Sequence, residues 1–163
     1  MRRRLSDYTL PLQGVDWQAG FSPWADILPE RSQLMFVSRF ADAFLLAPNG
    51  AALMLDVNFG RLLRLAEDRE RFADLIDGHG PDWLMIPLVE ECLAAGRRLL
   101  PGQCYAFTEP PLFGGAYRAE NVHVAEIGAQ LAFLGDLYAQ TQARAAVDRP
   151  ARRFFIDEER GER

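Results

Sequence analysis

Lysine is absent from the 163 residues, and all 18 basic side chains are arginine. No side-chain amine is therefore available for a Schiff base, for anchoring pyridoxal phosphate, or for the lysine of a phosphate-binding loop or kinase. Histidine is nearly as scarce, with only His79 and His123 to move protons or bind metal. Cysteine is limited to Cys92 and Cys104, without CxxC spacing or a nearby histidine pair. That pattern reads as two reduced, packed thiols in a cytoplasmic protein. No apolar run approaches the roughly 18 residues that a membrane-spanning helix needs. Residues 1–10 carry three arginines but no apolar stretch or cleavage site behind them, so they do not read as a signal peptide. Neither cofactor nor metal is expected.

What is present is an ordinary globular mixture, 49% hydrophobic, which suffices for one core. The 23 acidic residues against 18 arginines give a net charge of −5, and that charge is unevenly placed. Residues 1–39 sum to +1, residues 40–91 to −6, and residues 92–163 to 0. An acidic surface repels phosphate backbones, so direct nucleic-acid binding is not expected, whereas a basic protein partner fits. The candidate partner-binding acids are Glu67, Asp68, Glu70, Asp74, Asp77, Asp82, Glu90 and Glu91. Solvated helix faces explain the same residues. Glu90 and Glu91 point about 100° apart on a helix and so do not form a carboxylate pair at one site.

The first thirty residues hold Trp17, Phe21, Trp24 and Ile27 among Gly and Pro, consistent with a short helix or an irregular flap over the core. Leu34–Val37, Ala43–Ala47, Ala51–Leu55 and Leu62–Leu65 read as an antiparallel meander. Asn49-Gly50 marks one hairpin, since both positions tolerate positive φ, and Asn58-Phe59-Gly60 marks the next turn. A helix is expected over Glu67–Ile76, broken by Gly78-His79-Gly80, with His79 as a turn residue. A second is expected over Asp82–Ala95, with Leu84, Leu88 and Cys92 on one stripe and Gly96 as its stop. Pro87 inside that stretch predicts a kink or a later start. Gln103–Thr108 alternates as a strand, Asn121–Ile127 is a further strand, and Gly128–Arg144 is a last helix.

Catalytic constellations are weak. Gly114-Gly115 lacks the spacing of a phosphate-binding loop and reads as a turn. Cys104 with His123 suggests a thiol and its base, but no third orienting group is recognisable. Asp56 reads as capping the turn through Asn58, Asn121 as satisfying backbone groups at a loop end, and Arg118 as bonding a loop carbonyl or a partner carboxylate.

One string is distinctive: Pro101, Gly102, Gln103, Cys104, Tyr105 and Phe107, then Pro110, Pro111, Gly114 and Gly115, then Glu120 and Asn121. With Phe40–Leu45, Asp56–Gly60, Trp83-Leu84 and Leu88-Val89, it resembles a bacterial family named after the C-terminal domain of immunity proteins against type VI secretion DNase effectors. The resemblance runs from about Trp24 to Gln142. It implies a cognate secreted toxin as partner, a basic nuclease, bound stoichiometrically so that its active site is occluded, and it implies no catalysis. Relatives often carry a Val-His pair and Gly-Gln-x-His in the last helix; here those places read Ala129-Gln130 and Gly135-Asp136-Leu137-Tyr138. Many also have an N-terminal GAD-like domain where this chain has residues 1–33.

The expected architecture is a single α+β domain: an antiparallel sheet of four to six strands with helices packed on one face. Residues 1–33 form an extension packed on it, 34–144 the immunity-type domain, and 145–163 a charged tail in which Phe154, Phe155 and Ile156 could dock. Phe113 and Tyr117 join the acids as partner-binding candidates if their loop faces outward. The alternatives are an SMI1/KNR4-type regulatory or scaffolding module without a toxin, and a small enzyme using Cys104 or His123.

Overall fold

The computed structural model describes residues 4–161, with side chains through residue 144. Four short strands form an antiparallel meander in sequence order: β1 (Gln33–Val37), β2 (Ala43–Leu46), β3 (Ala52–Asp56) and β4 (Arg61–Ala66). The β2–β3 turn closes with Gly50 N–H on the Ala47 carbonyl at 2.9 Å, and Asn49 Oδ1 accepts from Ala51 N at 3.0 Å. Gly50 takes positive φ, whereas Asn49 does not, so the turn needs only one left-handed residue.

Alternation along the central strands builds two apolar layers. Phe44, Ala52 and Met54 face one cluster; Ala43, Leu45, Leu53 and Leu55 face another. Every residue of β3 is buried. The α+β class and the antiparallel pairing stand as read from the sequence, but the helices divide between both faces of the sheet. Helix α2 (Arg69–Trp83) and helix α3 (Ile86–Ala94) cover the first face. Helix α1 (Trp17–Phe21) and helix α4 (Ile127–Gly161) cover the second.

The N-terminal segment belongs to that second layer. Asp16 caps α1 through Ala19 N at 3.1 Å, Trp24 is fully buried, and its ring lies 5.1 Å from that of Tyr138. Pro23 sits so close to Gly135 that a Cβ there would lie 2.5 Å from Pro23 Cβ. Helix α4 runs past the expected end at Arg144, and the expected docking of Phe154, Phe155 and Ile156 lies outside the described side chains.

Helix α2 departs most from expectation. It starts behind the Asp68 cap, which accepts from Arg71 N at 2.7 Å, and continues through Gly78, His79, Gly80 and Pro81. Each glycine costs about 1 kcal/mol of helix propensity. Packing outweighs this: Phe72 stacks on Trp83 at 5.8 Å, and His79 stacks on the same ring one turn away at 5.0 Å. His79 is therefore a helix residue, not a turn. The expected single helix over Asp82–Ala95 is divided, because Met85 takes a left-handed φ of 51° and α3 starts at Ile86 with Pro87 in its first turn. The later start that Pro87 predicted is what occurs.

A two-stranded ribbon, β5 (Gln103–Phe107) with β6 (Val122–Glu126), completes the fold. Tyr105 N–H donates to the Arg39 carbonyl at 2.7 Å, joining the ribbon to the β1–β2 turn. Tyr105 and Phe107 pack on Phe40 at 5.4 and 5.0 Å, while Cys104 points into the second cluster. Both sides of β5 are thus buried.

Candidate partner-binding site

Between β5 and β6 the chain makes an external loop over residues 109–121, which closes on itself. The Pro110 carbonyl accepts from Phe113 N at 2.9 Å and from Gly115 N at 3.1 Å. Gly114 takes a φ of 92°, and any Cβ on Gly115 would collide with the Glu109 carbonyl. Asn121 brackets the base: its Oδ1 accepts from Glu109 N, and its Nδ2 donates to the carbonyls of Glu109 and Ala116, each at 2.9 Å. From the other side Glu91 Oε1 accepts from Ala119 N at 3.2 Å, and Arg97 donates to the Ala119 carbonyl.

On this base the apolar side chains point outward. Leu112 is 40% exposed, Phe113 56% and Tyr117 49%. Tyr117 rests edge-on against Phe107 at 5.5 Å and stacks on Phe59 at 6.5 Å. Arg61 covers the Phe59 ring at 4.9 Å. Leu112 borders a shallow cavity of about 60 Å³ with Val57, Gly60, Leu137 and Tyr138. Tyr138 fills the space above Gly60, where a Cβ would come within 2.8 Å of the ring. Tyr138 is thus a packing residue.

Beneath the Phe59–Tyr117 contact lie two buried carboxylates. Asp42 is fully buried, and its Oδ1 accepts from Val57 N at 2.9 Å and Asn58 Nδ2 at 3.1 Å. Asp56 is 4% exposed, and its Oδ2 accepts from Arg61 Nε at 2.9 Å. Burial pushes both carboxyls above their ordinary range; the charge of Asp56 raises Asp42 further, whereas Arg61 pulls Asp56 down. The turn cap that the sequence suggested for Asp56 is present, with the Phe59 and Asn58 backbone N–H groups pulling its carboxyl down and Phe59 N–H on its carbonyl. In addition Asp56 holds Arg61, and the Asn58 side chain bonds Asp42 and the Phe40 carbonyl.

The acidic candidates separate into two groups. Glu70, Asp74 and Asp77 recur on one exposed face of α2, turned away from Phe72 and Ile76, with Glu67 and Asp82 exposed at its ends. Three others have structural work. Asp68 caps α2, Glu90 Oε1 accepts from Tyr8 OH at 2.8 Å, and Glu91 holds the 109–121 loop. Of the acids, Glu91 bonds the loop that carries Phe113 and Tyr117, whereas the ring partners of Tyr117 come from β5 and the β3–β4 turn and not from α2.

The remaining motif residues build backbone. Gly102 takes a φ of 84° and its carbonyl accepts from Ile127 N at 3.0 Å; Gln103 Oε1 accepts from Leu100 N at 2.8 Å. Pro101, Gly102 and Gln103 border an open groove of about 650 Å³ with Gly20 and Glu126. Glu120 pairs loosely with Arg118 at 3.6 Å, both exposed. Sequence reading missed Phe59, Arg61, Leu112 and Leu137 as neighbours of the loop tips, and the burial of Asp42 and Asp56. The only signal for these was the position of Phe59 and Arg61 in a turn and of Leu112 inside the motif.

Cys104 and His123 do not form a catalytic pair. Cys104 is buried, and burial, then Asp42 and Glu126, push its thiol up to about 12, away from an activated thiolate. His123 is exposed on β6 and bonds Thr108 Oγ1 at 3.1 Å. Among the described residues no cluster of three His, Cys, Asp or Glu side chains could hold a metal, and no helix is long and apolar enough to cross a membrane.

A comparison with curated proteins gives no match. A comparison with protein families does. Residues 66–138, a little under half of the chain, match the family described as T6SS immunity protein Tdi1, C-terminal. The matched stretch begins at the end of β4 and takes in α2, α3, the β5–β6 ribbon and the external loop. It is shorter than the resemblance traced from about Trp24 to Gln142. Over this stretch the chain is similar to that type VI secretion immunity domain.

Proposed function

We propose that this chain neutralises a cognate secreted toxin, a nuclease with a basic cleft, by stoichiometric binding in the cytoplasm that occludes the toxin's active site. The match of residues 66–138 to the immunity family carries the reading. The geometry supports it with a surface suited to protein contact: Phe113, Tyr117 and Leu112 stand outward on a loop whose base is fixed by Gly115 and Asn121. Exposed aromatics on a preorganised base lose little conformational entropy on binding and make effective anchors. The exposed acids of α2 supply charge that attracts a basic partner at long range and mainly raises the association rate.

No catalytic role is assigned to any residue. The motif residues Pro101, Gly102, Gln103, Cys104, Tyr105, Phe107, Pro110, Pro111, Gly114, Gly115 and Asn121 act in this reading as scaffold for the loop, with Glu120 at its rim. The test is co-expression with a toxin encoded beside the gene, scoring growth rescue and co-purification at one-to-one stoichiometry. Rescue without a stable complex would contradict occlusion; a stable complex without rescue would favour a scaffolding module.

A further inference from the structure

Asp42 and Asp56 occupy a position that the proposed binding activity does not require. Each has one carboxylate oxygen with a defined donor and one without: Oδ2 of Asp42 and Oδ1 of Asp56 are both buried and have no hydrogen-bond partner. Asp42 reaches the backbone beside Asp56, since its Oδ1 accepts at 2.9 Å from the N–H of Val57, the residue that follows Asp56, and the two carboxyls are close enough for the charge of Asp56 to act on Asp42. The bonded partners of Asp42 are the Val57 N–H and the Asn58 amide, both neutral. Arg61 is the cation of the group, and it bonds Asp56. Two ionised carboxylates would leave this buried cluster one negative charge in excess, and uncompensated buried charge is expensive.

The geometry points to a single proton held between Asp42 and Asp56 at neutral pH, which fastens the β1–β2 turn to the β3–β4 turn beneath Phe59 and Tyr117. The proton comes from solvent, lowers the charge of the pair from two to one, and leaves it balanced by Arg61. One carboxyl of the pair is then neutral, and the charge that Arg61 balances is carried by the other. The other titratable groups facing the pair are Cys104 from β5, which Glu126 of β6 also influences, and Tyr117 from the external loop. The fields of both aspartates reach Tyr117, and that of Asp42 reaches Cys104. Both groups are shifted upward, out of the neutral range, so neither replaces the pair as a neutral-pH titrating group.

The direction of the pH effect follows from linkage. A carboxyl raised above its ordinary value of 3.8 contributes stability that is complete below that value and is lost as pH rises through its value in the fold. Within that window the unfolding equilibrium shifts about tenfold per pH unit for one proton. Asp42→Asn keeps the acceptor for Val57 N and replaces the shared proton with an amide donor, so it removes this dependence.

The pair is tested by nuclear magnetic resonance of the protein carrying carboxyl-labelled aspartate, titrated from about pH 4 to about pH 9. One signal, absent in Asp42→Asn, is expected to remain protonated through neutrality after the exposed aspartates have ionised. In parallel, the melting temperature of Asp42→Asn should exceed that of the wild type by a margin that grows with pH. Ionisation of both buried carboxyls together with the exposed ones would overturn the proposal, as would a margin independent of pH. Stabilisation of the wild type by added calcium or magnesium, abolished by a chelator and by Asp42→Asn, would assign the site to a cation and overturn it too. None of these readouts involves a toxin, so the shared proton stands or falls separately from the binding function.

Discussion

The external loop at residues 109–121 and the outer face of α2 are both exposed, yet they are built in opposite ways. The loop has its backbone fixed by side chains: Asn121 spans it with three hydrogen bonds, and Gly115 admits no side chain at all. Its outward groups are apolar. The α2 face carries Glu70, Asp74 and Asp77, charged side chains exposed along a regular helix. The difference separates two contributions to binding. Rigid apolar tips bury area and control dissociation, whereas mobile surface charges act before contact and are screened by salt.

That division is open to breakage at several points. Gly115→Ala has the largest expected effect: with no room before the Glu109 carbonyl, the loop must open, at a cost of about 3 kcal/mol. Thermal melting reads this as a destabilised protein, and binding should fall with it. Asn121→Ala leaves Glu109 and Ala116 backbone groups without partners and costs about 2 kcal/mol. Its urea midpoint should drop, and added flexibility should appear as faster amide exchange at residues 109–116. An undiminished midpoint would show that the loop is not held as described. The double variant Asp74→Arg, Asp77→Arg should leave folding within about 0.5 kcal/mol of the wild type. It should slow association with a basic toxin and flatten the dependence of that rate on salt. Unchanged kinetics across a salt series would remove α2 from the interface.

Local signals in the chain were legible where local chemistry decides. Pro87 gave the late start of α3, Gly50 the β2–β3 turn, and the alternation of Gln103–Thr108 a strand. What was hidden was set by tertiary contact. The continuation of α2 through Gly78, His79 and Gly80 depends on the stacking of Phe72 and His79 against Trp83, which outweighs two unfavourable propensities. The second helical layer depends on N-terminal aromatics finding α4, as Trp24 finds Tyr138. The candidate site was half visible: Phe113 and Tyr117 stood out in the motif, but the stacking of Tyr117 on Phe59, itself covered by Arg61, joins residues more than fifty positions apart. The −6 charge of residues 40–91 was likewise misleading as a surface property, since Asp42 and Asp56 are inside the core.

The most direct test of the binding function is the dissociation rate of the cognate toxin from Phe113→Ala, Tyr117→Ala compared with the wild type. Phe113→Ala alone removes mostly exposed surface and should change the melting temperature little, whereas Tyr117→Ala also loses its contacts with Phe59 and Phe107, so dissociation is measured well below the melting temperature of the double variant. Dissociation should accelerate by about thirtyfold or more, corresponding to the roughly 2 kcal/mol expected of anchor residues, with growth protection lost in parallel. An unaltered dissociation rate with full protection would contradict the assignment of this loop as the toxin-binding surface.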